Sequence, residues 1–424
     1  MPNLTSHSSF TQLDEWLFYL ESIHATEIDM GLTRIGNVVK KLDINLKPSK
    51  VITVAGTNGK GTTCAFLENA LLQQGKSVAV YSSPHIEKFN ERLRINKKLI
   101  SDQPLIDAFK KIELKRQDIS LTYYEYTTLA ALIICQQLKP DYIILEVGLG
   151  GRLDATNIID SDLAVITSID IDHQAFLGDT RELIGYEKAG IVRANCPVVI
   201  GDLDVPKSVL EHCRKVAAKP FIRNEEFHLS ANSSQHAFSN DWQWQSANTE
   251  LSMLPATKIP QDNVATALMT LELLGLPLEQ STVSQWINAT QLEGRTEIVK
   301  QNPLVVVDVA HNPHAAEYLQ RYVSAHKQGK VHAVVAMLAD KDISGTIATM
   351  LPVVDDWYVA SLSVPRGASK QILSNILAQN NIIANSFDKV SDAYKIALDK
   401  ANNNDMILVF GSFFTVANIK KSEF

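Results

Sequence analysis

The chain has 424 residues, 45% of them hydrophobic and 21% charged, which allows large buried cores and roughly two to three domains. Its net charge of −7 argues against a general nucleic-acid-binding protein, because such proteins present basic surfaces. Small anionic ligands are compatible with this charge, since a local site can be positive on an acidic protein.

Short apolar, β-branched runs alternate with helical patterns along the first half of the chain. Strands are predicted at Val51–Ala55, Ser77–Tyr81, Tyr142–Val147, Leu163–Ile169 and Pro197–Ile200. Helices are predicted at Thr62–Gln74, Tyr126–Gln137 and Arg181–Ile191. The alternation indicates an α/β fold with a mostly parallel sheet and helices on both of its faces.

The alternation stops between Arg223 and Ser252, where Asn, Ser, Gln and Trp predict antiparallel hairpins or an exposed subdomain. Gln291–Pro303 is typical of a linker. Strands then restart at Leu304–Ala310, His332–Leu338, Trp357–Leu362 and Met406–Phe410. We therefore predict a P-loop-type domain over residues 1–292, a linker over 293–303, and a smaller Rossmann-like α/β domain over 304–424.

The spacing of the cysteines and the length of the apolar runs indicate in which cellular compartment the protein resides. Cys64, Cys135, Cys196 and Cys213 show no zinc-site spacing, and scattered thiols favour a reducing environment. The first residues lack the pattern of a secretion signal, and no apolar run approaches the ~18 residues of a membrane span. We expect a cytoplasmic protein without a membrane segment.

The stretch V-A-G-T-N-G-K-G-T-T, Val54–Thr63, joins the first predicted strand to a helix. Such a turn points backbone N–H groups at a bound anion, aided by the helix dipole. Lys60 would reach the β- and γ-phosphates, and the Thr62 hydroxyl would bind Mg²⁺. Val54 replaces the first glycine of the common phosphate loop, so this loop is a variant. The nearest match to the N-K-x-D motif of GTPases, Ala339-Asp340-Lys341-Asp342, is poor.

Three side chains follow predicted strands at the carboxyl edge of the sheet, where ligands bind in open α/β folds. They are Ser83, Glu146 and His173. Hard oxygen ligands with one imidazole suit Mg²⁺ or Mn²⁺. Taken singly, Ser83 is equally typical of a turn and His173 of a packed core. Glu146 is harder to explain structurally, because burying an unpaired carboxylate is costly.

Together these segments resemble the folylpolyglutamate synthase family of the Mur ligase superfamily. The resemblance is carried by stretches spread from Asp29 to Ser412: V-A-G-T-N-G-K-G-T-T-C, V-Y-S-S-P-H, S-L-T-Y-Y-E-Y-T-T-L, L-E-V-G-L-G-G-R-L-D-A-T-N, E-K-A-G-I, G-R-T-E-I-V and D-V-A-H-N-P-H-A.

The resemblance implies a set of site residues. The ATP set would be Thr57, Asn58, Gly59, Lys60, Gly61, Thr62, Asn263, Arg295 and Asp308. Two Mg²⁺ sites, with Mn²⁺ as an alternative ion, would use Ser83, Glu146, His173 and Thr62. Lys188 would be carbamylated, and Lys60, Lys188 and His173 would be the catalytic group. The pterin set would be Asp29, Met30, Thr122, Tyr123, Tyr124, Glu125, Leu153, Asp154 and Ala155. His311 and Ser412 would bind glutamate.

The implied activity is ATP-dependent amide ligation through an acyl phosphate. L-glutamate would be joined to dihydropteroate and to the γ-carboxylate of tetrahydrofolates. The implied partners are these small molecules and ATP, not nucleic acid or membrane, and the implied assembly is a monomer. Three alternatives stay open: an enzyme active on folates alone, another Mur-type amide ligase, and a nucleotide-binding regulator that has lost catalysis.

Overall fold

A computed structural model describes residues 10–231 and 242–423 of the chain. Its helices are α1 Leu13–Leu20, α2 Thr33–Leu42, α3 Lys60–Gln73, α4 Asp102–Arg116, α5 Tyr123–Leu138, α6 Gln174–Leu177, α7 Arg181–Ala189, α8 Lys207–Lys215, α9 Gln261–Leu273, α10 Gln280–Ala289, α11 Pro313–His326, α12 Ile343–Met350, α13 Lys370–Gln379, α14 Val390–Lys400 and α15 Phe413–Glu423. Its strands are β1 Lys50–Ala55, β2 Val78–Tyr81, β3 Leu93–Ile95, β4 Lys98–Leu99, β5 Tyr142–Glu146, β6 Leu163–Ile166, β7 Pro197–Ile200, β8 Lys219–Ile222, β9 Phe227–Ala231, β10 Trp242–Ser246, β11 Glu250–Leu254, β12 Glu297–Lys300, β13 Leu304–Val307, β14 Val331–Val335, β15 Asp356–Ala360, β16 Asn385–Phe387 and β17 Met406–Phe410.

The first sheet confirms the predicted α/β architecture. Its strand order is β4-β3-β2-β5-β1-β6-β7-β8, and all neighbours are parallel except the pairs that involve β3 and β4. Every residue of β5 is buried. Continuous apolar runs of this kind belong to strands covered on both faces. Helices α3, α9 and α10 cover one face, and α1, α2, α4 and α5 contribute to the core on the other.

Strand β1 lies between β5 and β6, so their three carboxyl ends meet at one edge of the sheet. The phosphate loop, Glu146 and the segment leading to His173 therefore lie side by side. Strand β6 ends at Ile166, three residues earlier than predicted. The chain turns away there because residues after Ile166 bond to the phosphate loop, as in the 2.6 Å bond that the amide of Thr57 donates to the carbonyl of Ser168.

A three-stranded antiparallel sheet, β9–β11, confirms the predicted hairpins, although residues 232–241 lie outside the described part of the chain. The indoles of Trp242 and Trp244 are fully buried. Their N–H groups donate to the carbonyls of Pro255 (2.8 Å) and Ala265 (3.1 Å), which fixes this sheet against the start of α9.

The second α/β unit has the strand order β12-β13-β17-β14-β15-β16, parallel except for β12. Within the segment predicted as a linker, residues 293–303, Glu297–Lys300 forms β12 and pairs antiparallel with β13. An irregularity between Ile298 and Lys300 interrupts that ladder, which hides the strand pattern in the sequence. We call β1–β11 with their helices the N-terminal unit, and β12–β17 with their helices, together with the residues from Gly294 that lead into β12, the C-terminal unit.

Several elements near the beginning of the chain were not predicted: helices α1, α2 and α4 and the β3–β4 hairpin. Within residues 10–231 and 242–423, no helix is both long enough and apolar enough to cross a bilayer.

Candidate active site

The phosphate loop spans Gly56 to Gly59 between β1 and α3. Gly59 has a φ of 86°, a left-handed conformation that favours glycine. Hydrogen bonds hold the loop to the end of β6: Thr57 Oγ1 donates to the Asp170 carbonyl (2.9 Å), and Thr167 Oγ1 donates to the Asn58 carbonyl (2.6 Å). The loop is therefore shaped before any anion arrives.

Lys60 turns its ammonium back into this loop. Its Nζ donates to the carbonyls of Gly56 (2.9 Å) and Thr57 (3.2 Å). Burial lowers the pKa of Lys60, while the carboxylates of Glu146 and Asp172 oppose that shift. A phosphate group would supply the negative charge that this cation needs.

Glu146 ends β5 on the wall opposite Lys60 and is 6% exposed. Burial raises the pKa of Glu146, while Lys60 and Arg295 act in the opposite direction, as does a hydrogen bond from the backbone of Ser83. The carboxylate of Glu146 and the hydroxyl of Ser83 both line the central cavity and are hard oxygen donors.

The C-terminal unit brings Arg295 and Asp308 to the same cavity. Asp308 accepts backbone bonds from Thr296 and Ala310, both at 2.7 Å. Burial raises the pKa of Asp308, and Arg295 opposes this. Burial also lowers the pKa of Arg295. Arg295 thus places a partly buried cation near Glu146 from the other side of the cavity.

Asn263, at the start of α9, contacts the phosphate loop directly. Its Nδ2 donates to Thr62 Oγ1 at 2.8 Å. A Cβ atom at Gly59 would overlap the Asn263 amide. The structure therefore brings Asn263 and Thr62, both predicted to bind ATP, into contact with each other.

His173 follows the end of β6 with a φ of 53°. Its Nε2 lies 3.1 Å from the ammonium of Lys341, which comes from the C-terminal unit. Burial lowers the pKa of His173 to about 4, and Lys341 adds to the shift. The imidazole is therefore neutral near pH 7, the state in which it can bind a metal ion.

Lys188, on α7, is 3% exposed and is therefore not a solvated surface lysine. Burial and the nearby Lys60 lower the pKa of Lys188 well below its usual value, while Asp172 opposes the shift. Lys188 lines the same cavity as Lys60, Glu146 and His173.

The residues of the pterin set lie behind the wall that carries Ser83. Tyr124 Oη is 3.5 Å from Asp154 Oδ1, and Asp154 Oδ2 accepts the amides of Gly148 (3.1 Å) and Leu149 (2.9 Å). A Cβ at Gly148 would lie 2.7 Å from the Tyr124 ring, so glycine permits this close approach.

A second part of that set surrounds Arg34, which sequence reasoning did not single out. Arg34 pairs with Asp29 (2.7 Å) and with Glu125 (3.3 Å). Glu125 also accepts the amide of Thr122 at 2.8 Å, which closes a capping box at the start of α5. Thr122 and Glu125 thus have a structural role whatever they bind. The same set's Tyr123, Leu153, Ala155 and Met30 are each partly or fully buried.

The two residues expected to bind glutamate lie in different surroundings. His311 lines the cavity, and its Nδ1 lies 2.8 Å from the Val309 carbonyl. Ser412 is 3% exposed, accepts the Thr415 amide at 3.0 Å and does not line the cavity. The observed role of Ser412 is to cap helix α15.

One cavity of about 500 Å³ unites most of the predicted site and is lined from both units. It receives the phosphate loop, Ser83, Glu146, His173, Lys188, Asn263, Arg295, Asp308 and His311. Lys60 and Arg295 place positive charge near the phosphate loop, alongside lining carboxylates such as Glu146 and Asp308, and this combination favours a nucleotide bound with a divalent cation. Among the described residues, no group of three His, Cys, Asp or Glu side chains could hold a metal ion alone.

Comparisons with known proteins agree with this geometry. The Mur ligase middle domain matches residues 54–271, and the Mur ligase glutamate ligase domain matches residues 294–413. The dihydrofolate synthase/folylpolyglutamate synthase of Escherichia coli (strain K12) is 46% identical over 409 residues, which cover 96% of this chain and 94% of the relative.

Solved structures extend the similarity to the whole fold. Escherichia coli FolC in complex with DHPP and ADP superposes with a TM-score of 0.92 at 45% identity, covering 98% of both chains. A bifunctional folylpolyglutamate synthase/dihydrofolate synthase with Mn, AMPPNP and L-glutamate bound gives a TM-score of 0.90 at 45% identity, again covering 98% of both chains. This chain therefore belongs to the dihydrofolate synthase/folylpolyglutamate synthase family of Mur ligases.

Proposed function

We propose that this chain is an ATP-dependent amide ligase that joins L-glutamate to dihydropteroate and to the γ-carboxylate of tetrahydrofolates. One observation carries the proposal: a single cavity is lined by a phosphate loop from one unit and by the partly buried Arg295 and the buried Asp308 from the other. Relatives of nearly the same length bind ADP, DHPP, AMPPNP and L-glutamate.

The proposed reaction has two steps. An acceptor carboxylate oxygen attacks the γ-phosphorus of ATP, ADP leaves, and an acyl phosphate forms. The amino group of glutamate then attacks the acyl carbon, inorganic phosphate leaves, and the amine loses a proton. Phosphoryl transfer depends mainly on positioning and on charge stabilisation, and Lys60 and Arg295 are two partly buried cations of the cavity that could supply it.

Mg²⁺ or Mn²⁺ fits the residues present. Ser83 and Glu146 offer hard oxygen donors, and His173 offers a neutral imidazole. Mg²⁺ is usually bound through one or two carboxylates plus substrate phosphates, so the lack of a complete protein cage among the described residues is compatible with it. A bound divalent ion would neutralise developing charge on the phosphates.

Lys188 is the proposed site of carbamylation. A neutral amine can attack the carbon of CO₂ and release a proton to solvent, giving a carboxylate on the side chain. The lowered pKa of Lys188 supports this proposal because it raises the fraction of neutral amine. The new carboxylate would face the ligands proposed for the metal.

The individual ligand assignments are part of the proposal. ATP would contact the phosphate loop, Asn263, Arg295 and Asp308, and the pterin would lie near Tyr124 and Asp154. Glutamate would approach His311. The domain boundaries at 292 and 304, the cytoplasmic location and the monomeric state stay predictions from the sequence.

The test is mass spectrometry of products formed from ATP, glutamate and either dihydropteroate or tetrahydrofolate. We expect one added glutamyl group on each acceptor, with Lys60→Ala inactive because phosphate binding loses its cation. Addition to tetrahydrofolate alone would support the single-activity alternative. Phosphate release that responds to neither glutamate nor acceptor would contradict ligation and favour a regulator.

A further inference from the structure

We propose that Asp172 and Lys341 form a docking pair that positions the C-terminal unit over the phosphate loop, so that Lys341 is a positioning residue for ligation. The pair joins segments 169 residues apart in sequence. Neither residue belongs to the predicted site. Lys341 lies in Ala339–Asp342, considered above only as a poor GTPase motif. The catalytic part of this inference rests on the proposed function.

Both oxygens of Asp172 are bound by donors from the opposite unit. Lys341 Nζ donates to Oδ1 at 2.8 Å, and Asn312 Nδ2 donates to Oδ2 at 3.1 Å. The side chains of Lys341 and Asp172 are 5% and 10% exposed. A surface ion pair contributes little, but removing one partner of a buried pair leaves an uncompensated charge, which is strongly unfavourable.

Asn312 extends this contact to the phosphate loop. Its amide forms a reciprocal pair with the amide of Asn58, with both N–O distances at 3.1 Å. Asn312 also caps helix α11 by accepting the amide of Ala315 at 2.9 Å. The start of α11, the phosphate loop and Asp172 are thus held in one hydrogen-bonded network. A shift of the C-terminal unit would pull on the loop through Asn312.

Lys341 also contacts His173, with 3.1 Å between Nζ and Nε2. A neutral imidazole nitrogen has one lone pair, so it cannot accept a bond from an ammonium and bind a metal ion at once. If His173 were to hold the proposed divalent ion through Nε2, Lys341 would have to leave that atom. Asp172 is the anchor that keeps Lys341 docked in that state.

The experiment is a double-mutant cycle on Lys341→Met and Asp172→Asn, with Lys341→Arg as the conservative variant. Lys330→Met is the matched control, because Lys330 is 66% exposed and lies 3.9 Å from its partner Asp356. The readouts are kcat, the KM for ATP, and amide hydrogen exchange of residues 168–178 and 338–343 in the ligand-free protein.

We expect each single variant to lower kcat by about tenfold or more and to raise the KM for ATP by a smaller factor, because the loosened C-terminal unit carries Arg295 and Asp308 while most of the phosphate loop's own bonds are kept. The double variant should lose no more than the worse single one, because both remove the same contact. Lys341→Arg should recover part of the rate. Multiplied losses, or a raised KM for ATP with kcat unchanged, would overturn the proposal.

Hydrogen exchange tests this inference independently of the proposed function, because the measurement does not require the protein to convert any substrate. Exchange should rise in both segments for each single variant and stay at the wild-type level in Lys330→Met. Unchanged exchange would overturn the docking pair even if the ligase activity is real. If Lys341→Met does not fold, Lys341→Gln provides the same test with a retained hydrogen-bond donor.

Discussion

At the start of helix α3, two requirements coincide at Gly59. Its φ of 86° lies in the left-handed region, and the Asn263 amide fills the space that a side chain would need. Gly75, just after the same helix, has a similar φ of 71°, yet a Cβ there would meet nothing within 4 Å. A substitution at Gly75 would therefore show the effect of backbone strain alone, whereas one at Gly59 would add steric overlap with Asn263.

We predict that Gly75→Ala lowers the free energy of unfolding by about 1 kcal/mol, the usual cost of a left-handed alanine, and that Gly59→Ala lowers it by more, because its Cβ also overlaps the Asn263 amide. Only Gly59→Ala should also weaken ATP binding, by about tenfold or more, because the loop must move away from Asn263. Urea unfolding and calorimetric titration with ATP measure the two effects. Equal ATP affinities for both variants would contradict the role given to this loop.

Functional roles could be predicted for residues whose charge has few structural explanations at their position in the sequence. Lys60 and Glu146 follow buried strands, so their charges implied a polar site at the sheet edge. Lys341 could not be found in this way, because its partners Asp172 and His173 lie 169 and 168 residues away. Nor could the sequence show that Ser412 caps α15, since a serine before a helix fits capping and ligand binding equally well.

At the scale of elements, the carboxylate of Glu113, on helix α4, joins three helices: α1, α4 and α5. It accepts bonds from Tyr19 on α1 (3.1 Å), from Tyr126 on α5 (2.9 Å), and from Arg116 on its own helix (2.6 Å). Burial acts to raise the pKa of Glu113, but the bonds from Arg116 and the two tyrosines outweigh it and lower the pKa.

A carboxyl group with a lowered pKa in the folded state stabilises the protein above its unfolded pKa and loses that contribution as the pH falls through the folded pKa. We therefore predict that Glu113→Gln lowers the free energy of unfolding at pH 7 by about 1–2 kcal/mol. The difference from wild type should shrink between about pH 5 and pH 3. Urea unfolding across this range measures it.

Asp107→Asn is the control for this prediction, since Asp107 is an exposed carboxylate on the same helix. It should leave stability at pH 7 within about 0.5 kcal/mol of wild type. A deficit in Glu113→Gln that stays constant with pH would show that the ionised carboxylate is not what joins the helices.

Element boundaries were predicted less well than element types. The long apolar runs of β1 and β5 were sufficient to predict these strands. Strand β6 ends earlier than predicted because Thr167 and Ser168 bond to the phosphate loop. Strand β12 escaped prediction because its ladder is irregular and its residues are only partly buried or exposed. For both β6 and β12, contacts with distant parts of the chain decided where the strand lies, and the local sequence pattern could not reveal those contacts.

At the scale of the whole molecule, the cavity exists only because two α/β units face each other. The N-terminal unit supplies the phosphate loop, Glu146 and Lys188, and the C-terminal unit supplies Arg295 and His311. Division of the site between units is expected when an acyl intermediate must be kept from water until the amine arrives. The pattern of predicted strands implied two α/β units, but only the structure shows which side chains meet between them.

The central claim is that this cavity activates a carboxylate by phosphorylation before an amine attacks it. It is tested by supplying dihydropteroate with ¹⁸O in its carboxylate, together with ATP and glutamate, and measuring the mass of the released phosphate. The account predicts one ¹⁸O atom in the phosphate for every amide formed. Amide formation accompanied by unlabelled phosphate would contradict it.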